Sequence, residues 1–197
     1  MLRDACSSHH VIEAKAVWLR RRALLFLVTL TGAAAAEASV PEGYRTEDYR
    51  APTPLHVPGA RTLDTVAAEA LWRHGGAVWI DVLPALHRPA GLPANTLWRP
   101  SPRRGIPGSL WLPEVGRGRL DPGLEAWFRD NLLRATGGDR SRPVVFYCLA
   151  ECWMSWNAAK RAAAWGWHAV YWYRDGTDGW EAAGLPIEPL RPAPGAF

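Results

Sequence analysis

Apolar positions recur along this chain with two alternating periods. Leu63, Val66, Ala67, Ala70 and Leu71 fall at helical spacing and stop at Gly75-Gly76, which predicts a helix over Leu63–Arg73. Ala77–Leu83 is instead a continuous apolar run broken only by Asp81. That is the pattern of a buried parallel strand with a polar residue near its C-terminal end. Residues 84–105 are rich in Pro, Gly and Arg and have no period, so a long loop is expected there. Ile106–Pro113 reads as a turn feeding a short strand. Asp121 and Pro122 make an N-cap and first-turn pair for a helix over Gly123–Ala135, stopped by Gly137-Gly138. Val144–Tyr147 is a β-rich strand running into Cys148, Ser155–Trp165 is a helix stopped by Gly166, and Ala169–Tyr173 is a further strand. Asp175–Gly179 is read as a turn toward Trp180, followed by a Pro-rich tail.

Strands alternating with helices predict an α/β domain with a mostly parallel sheet wrapped by helices. Sites in such sheets form at the C-terminal ends of strands. Asp81 and Cys148 both stand at such ends, which makes them the first candidates for chemistry.

The N-terminal third reads differently. Arg20, Arg21 and Arg22 precede the apolar run Ala23–Leu30, then Thr31, Gly32 and Ala33–Ala36. A basic region, a short apolar core and a small-residue site predict an export signal over residues 1–36, cut after Ala36 or Ala38. Its alternatives are an uncleaved anchor or a buried helix. The apolar core falls short of the ~20 residues a bilayer span takes, so no stable membrane span is expected after cleavage. Residues 1–16 are long for such a signal and fit an over-extended start. Export places the mature protein in the periplasm. Residues 37–62 contain Pro41, Pro52, Pro54, Pro58 and Gly59 and form an extended lead-in. The domain proper then covers 63–190, with a tail over 191–197.

Composition changes this picture in four ways. A chain of 197 residues that is 48% hydrophobic builds one domain with a real core. Its 12 Trp against 4 Phe require Trp to supply the bulk of the aromatic packing. A net charge of +4 from scattered arginines, without a basic run or a nucleic-acid module, argues against a nucleic-acid partner. With Cys6 in the removed segment, the mature chain keeps only Cys148 and Cys152, in a compartment that permits disulfides.

A strand that delivers Cys148 to a loop, with a helix behind the loop, resembles an anion cradle that favours a thiolate. A lone Cys in that place is more often a buried small hydrophobe. The second Cys four residues on, Cys152, shifts the reading toward chemistry.

In order along Leu63–Pro186, Asp81-Val82, Ile106-Pro107-Gly108-Ser109, Phe146-Tyr147-Cys148, Gly176-x-x-Gly179-Trp180 and Ala183-Gly184-Leu185-Pro186 resemble the rhodanese superfamily. The resemblance implies a three-layer α/β domain with helices on both faces of the sheet and a persulfide-forming cysteine at Cys148. The chain departs from that family's Cys-x-x-Gly-x-Arg-Ser loop. Ser155 lies seven positions after Cys148, Met154 stands where an anion-binding Arg is expected, and Glu151 adds a negative charge. Leu83 also replaces the Arg of the family's Asp-Val-Arg. Losing both arginines disfavours thiosulfate as a donor.

The Cys-x3-Cys-Trp loop, Gly43-Tyr44-Arg45, Tyr49-Arg50-Ala51-Pro52, Trp98-Arg99-Pro100 and the run Trp153–Arg161 resemble the PQQ-dependent catabolism-associated CXXCW-motif proteins. That resemblance implies an accessory to periplasmic alcohol oxidation by pyrroloquinoline-quinone dehydrogenases. Its partners would be a PQQ-dependent alcohol dehydrogenase or the cytochrome and transport components that serve it.

Three readings of the loop stay open. In the first, Cys148 is the nucleophile and Cys152 the resolving thiol of a redox or sulfur-transfer step, Trp153 covers the pair, and Asp81 orients the loop or acts as a base. In the second, the loop binds a redox cofactor or Cu(I) through both thiolates, with Trp153 and Ser155 lining the site and His168, Met154, His87 or His56 adding a ligand. Trp153, Trp156, Trp165, Trp167 and Trp172 would then offer a stacking platform for a quinone. Haem attachment is disfavoured because Trp153 stands where His is needed, and zinc because two obvious ligands are too few. In the third, a structural disulfide stabilises a partner-binding module.

Overall fold

The computed structural model describes residues 38–195. The expected export signal, Cys6 and the last two residues of the tail lie outside the described residues. In chain order the elements are β1 (Arg61–Leu63), α1 (Thr65–His74), β2 (Val78–Asp81), β3 (Arg104–Gly105), β4 (Leu110–Trp111), α2 (Pro122–Thr136), β5 (Val144–Tyr147), α3 (Trp153–Ala164), β6 (Val170–Tyr173), α4 (Gly176–Ala182) and β7 (Glu188–Pro189). Five strands pair in parallel in the order β1-β6-β5-β2-β4, and β3 and β7 form a separate antiparallel pair.

Local chemistry sets the helix ends. The Asp64 carboxylate accepts from the Ala67 N–H at 2.8 Å, and Asp121 accepts from the Leu124 N–H at 2.9 Å, each satisfying an otherwise orphaned first-turn donor. Gly137 ends α2 in the left-handed conformation at φ 66°. Several boundaries differ from the sequence reading, three of them around the site. Leu63 belongs to β1, because it pairs with Tyr173 of β6, so α1 begins at Thr65. α3 begins at Trp153, ahead of Ser155, whose hydroxyl donates to the Cys152 carbonyl at 3.0 Å from inside the first turn. The segment expected to be a turn over Asp175–Gly179 is the start of α4, whose two glycines mask its helical pattern.

Side chains alternate across the sheet and fill two cores. Trp79, Val145, Tyr147 and Tyr173 pack with Ala68 of α1 and Trp180 of α4. Ile80, Phe146, Val170 and Trp172 pack with Phe128 and Leu132 of α2 and Trp156, Ala159 and Ala162 of α3. Helices therefore cover both faces of a mostly parallel sheet, as expected. Trp156, Trp172 and Trp180 are fully buried and do supply the aromatic bulk of the core.

This topology positions the site. β2 and β5 are neighbours, and Asp81 pairs with Tyr147. Asp81 and Cys148 thus meet at the C-terminal edge of the sheet. The two-residue period turns Asp81 toward the α1/α4 face, while Cys148 lies in the core on the α2/α3 face.

Candidate active site

Cys148 and Cys152 are joined in a disulfide, with a Cα–Cα distance of 6.2 Å, inside the ordinary range for a bridge. The bridge closes a tight turn in which Glu151 takes a left-handed φ of 49°. α4 packs hard against the turn. Gly176 lies so close that a Cβ there would overlap the backbone of Cys148 and Leu149, and its φ of 55° suits glycine. The Cys148 carbonyl accepts from the Thr177 N–H at 3.0 Å, and the Ala150 N–H donates to Asp178 at 3.1 Å. Cys148 is fully buried and Cys152 is 2% exposed. The expected anion cradle is therefore partly occupied by acceptors of the protein itself.

The second occupant is the lead-in. Arg50 forms an isolated antiparallel bridge with Cys152, and the Trp153 N–H donates to the Tyr49 carbonyl at 2.9 Å. Glu151 turns away from the disulfide. Its carboxylate accepts from the Thr53 N–H at 2.6 Å and from Arg174 at 2.8 Å, so the charge expected in the loop is neutralised and ties the lead-in down. One face of α3 completes the clamp, with Trp153, Trp156, Asn157, Lys160 and Arg161 spaced three and four apart. The Trp153 indole N–H donates to Pro52 at 3.2 Å, and that of Trp156 donates to His56 at 3.0 Å. The Asn157 amide accepts from the Arg45 N–H at 3.0 Å and donates to the carbonyls of Arg45 at 2.8 Å and Gly116 at 2.9 Å. Lys160 donates to Pro41 at 2.9 Å and Gly43 at 2.8 Å. Arg161 holds the carbonyls of Val115, Arg117 and Gly118, and the Tyr44 ring lies 4.1 Å from its guanidinium. The run Trp153–Arg161 is thus a device for fastening the lead-in across the cysteine loop.

Asp81 is completely buried. Its carboxylate accepts from the Leu83 N–H at 2.9 Å and from Arg103 Nε at 2.6 Å. Burial raises its pKa from 3.8 to about 6, and the Arg103 charge holds it from rising further. Arg103 also reaches the Cys148 carbonyl and the Thr177 hydroxyl, each at 3.4 Å. Asp81 therefore acts on the loop backbone through Arg103. Periodicity could not locate Arg103, because it sits in the featureless 84–105 stretch. The available signal was chemical: a carboxylate in a buried strand requires a cation, and Leu83 cannot be it.

The family described as the rhodanese-like domain matches residues 65–183. This chain belongs to that family. Solved structures similar to it include the polysulfide-sulfur transferase homodimer of Wolinella succinogenes, at 23% identity and a TM-score of 0.41 over 66% of this chain and 80% of that one. They also include thiosulfate sulfurtransferase from Pseudomonas aeruginosa, at 19% identity and a TM-score of 0.44 over 72% of this chain and 25% of that one. The Alr3790 protein of Anabaena sp. is similar at 16% identity, with a TM-score of 0.42 over 65% of this chain and 80% of that one. Comparison with curated protein sequences gives no match.

The remaining candidates of the rhodanese-like domain are scattered. Ser155 is buried, accepts from the Trp172 indole at 3.0 Å and donates to the Cys152 carbonyl, so its hydroxyl is used within the core. The tryptophans near the loop do not form a platform. Trp156 and Trp172 are fully buried, Trp153 and Trp167 are 3% exposed, and Trp165 packs on Phe128. His56 and His168 are exposed, and His87 lies 3.5 Å from Glu114. Only Met154 lies beside Cys152, in the wall of a cleft of roughly 950 Å³. Among the described residues no group of three or more His, Cys, Asp or Glu side chains converges to hold a metal ion. The same cleft is lined by Cys152, Leu149 and Arg103, so it borders one residue of the disulfide.

Proposed function

We propose that this rhodanese-like protein is exported and uses Cys148 and Cys152 for thiol redox or sulfur-transfer chemistry in support of PQQ-dependent alcohol oxidation. The observation that carries the chemistry is the disulfide at the C-terminal edge of the parallel sheet, with Cys152 on the wall of a cleft. The paired state is the oxidised end of a dithiol couple, so redox exchange stands ahead of persulfide transfer. An incoming thiolate attacks Cys152 Sγ, a mixed disulfide forms there, and Cys148 leaves as the thiolate. By the reverse of that step, Cys152 is the thiol that meets a partner disulfide in the reduced protein and Cys148 the one that resolves it, the opposite of the roles expected from the sequence. Ordinary thiosulfate transfer is not part of the proposal, because Arg103 is committed to Asp81 and Met154 stands in place of the loop arginine.

Export and residence in the periplasm rest on the Arg20–Ala36 pattern. The link to PQQ-dependent catabolism rests on the Cys-x3-Cys-Trp loop and on Trp153–Arg161, both of which resemble the CXXCW-motif proteins. The clamp gives those motif residues a physical purpose, since four of the five clamp side chains hold lead-in backbone and Arg161 holds carbonyls of the segment between β4 and α2. A PQQ-dependent alcohol dehydrogenase, or the cytochrome or transport components that serve it, is the partner this reading names.

Intact-mass analysis of protein from the exported fraction tests the reading. A two-hydrogen deficit that millimolar thiols remove from the folded protein is the expected result, and added sulfur would move the assignment to a persulfide carrier. Retained copper would instead support Cu(I) binding by the two thiolates. The burial of both cysteines favours a second reading, a disulfide that staples a partner-binding module. A disulfide that opens only on unfolding, with alcohol oxidation unchanged in Cys148→Ser, would establish that second reading and overturn the first.

A further inference from the structure

The cleft beside Cys152 has two kinds of wall. Leu83, Leu86, Leu149 and Trp111 make it largely apolar, and Arg50, Arg103, Arg104 and Arg117 also line it. Among its lining residues the one acid is Glu181. Arg103 pairs with Asp81 at 2.6 Å, Arg50 with Asp178 at 4.0 Å, and Arg117 with Glu114, and none of those three acids lines the cleft. Cations thus line the cleft while their counter-charges stand outside the wall. Arg104, exposed on β3, has no acidic partner among the described residues.

Size and polarity narrow the ligand. A volume of roughly 950 Å³ lies at the upper end for organic-ligand pockets and far exceeds what an inorganic sulfur anion fills. Apolar walls gain nothing from such an anion but bury an organic frame well. Guanidinium groups select carboxylates by charge-assisted hydrogen bonds.

We propose that this cleft binds a low-molecular-weight organic thiol that carries a carboxylate on an apolar frame, and presents its sulfur to Cys152. The proposal rests on the thiol-exchange reading of the disulfide. The ligand thiolate attacks Cys152 Sγ, the ligand–Cys152 bond forms, the Cys148–Cys152 bond breaks, and the electron pair leaves on Cys148. A second ligand thiolate attacks the ligand sulfur, releases the ligand disulfide and leaves Cys152 as a thiolate. Two ligand thiols are oxidised and one protein disulfide is reduced. Arg104 and Arg50 hold the carboxylate, and the walls formed by Leu83, Leu86 and Trp111 hold the frame.

The test uses the full chain with mercaptobenzoate, neutral thiophenol and cationic cysteamine, reading disulfide opening by quenched intact mass as rate per thiolate. Mercaptobenzoate is expected to react roughly tenfold faster than thiophenol. That advantage should collapse in Arg104→Ala and in Arg50→Ala, and at high salt, while the thiophenol rate holds. Benzoate, which has no sulfur, should perturb cleft resonances by NMR and slow mercaptobenzoate in the wild type. Equal rates for the three thiols, or no benzoate effect, overturn the cleft assignment and leave the exchange reading standing. If benzoate occupies the cleft but no thiol opens the folded protein's disulfide, the thiol assignment falls together with the exchange reading.

Discussion

Replacing Asp81 by Asn separates two opposing electrostatic effects at the edge of the sheet. Asp81 is 0% exposed, and its neighbouring cation is Arg103, 2.6 Å away. Burial disfavours the carboxylate, the Arg103 charge favours it, and the balance leaves the pKa raised from 3.8 to about 6. The folded protein therefore holds a proton on Asp81 over a range where the unfolded chain has released it. Stability linked to this group is fully present below pH 3.8 and is lost as pH rises through about 6. At about 1.4 kcal/mol per unit, the loss amounts to about 3 kcal/mol. Asp81→Asn has no such proton, and its side-chain oxygen still accepts from the Leu83 N–H. Urea unfolding, followed by tryptophan fluorescence at a series of pH values, measures both proteins. The wild type should lose about 3 kcal/mol relative to Asp81→Asn between about pH 4 and pH 7. A flat difference, or a wild type that gains on the variant as pH rises, would refute the reasoning and show that the Arg103 attraction outweighs burial.

Three further variants test the clamp. Glu151→Ala removes the acceptor for the Thr53 N–H and for Arg174, so it should cost about 1–2 kcal/mol and speed proteolytic cleavage of the lead-in. Glu151→Gly loses the same contacts but relieves the φ of 49°, and should unfold at higher urea than the Ala variant, by about 1 kcal/mol. Asn157→Ala strands the backbone groups of Arg45 and the Gly116 carbonyl, and a cost of about 3 kcal/mol in urea unfolding is expected.

Much of the fold is legible in the sequence because its signals are local. A helix start such as Asp121-Pro122 places its capping carboxylate three residues from the N–H it satisfies. The run Val144–Tyr147 needs only its own β-rich composition to read as a buried strand. The disulfide-forming pair lies four residues apart, so the loop stands out from its spacing alone. The two-residue strands β3 and β7 carry no such signal, being shorter than any period, and α4 is hidden by Gly176 and Gly179.

The sequence alone determined the alternation of strands and helices, the parallel sheet, and the placement of Asp81 and Cys148 at strand ends, because propensity and period act between near neighbours. Only the tertiary structure decided what surrounds them. Arg103 reaches Asp81 across 22 residues, Asn157 reaches Arg45 across 112, and Thr53 reaches Glu151 across 98. Such partners are chosen by the geometry that brings distant segments together and by the requirement that every buried charge and amide find a mate. That requirement, not any local pattern, fastened the lead-in over the cysteines and left Cys152 facing the arginine-lined cleft.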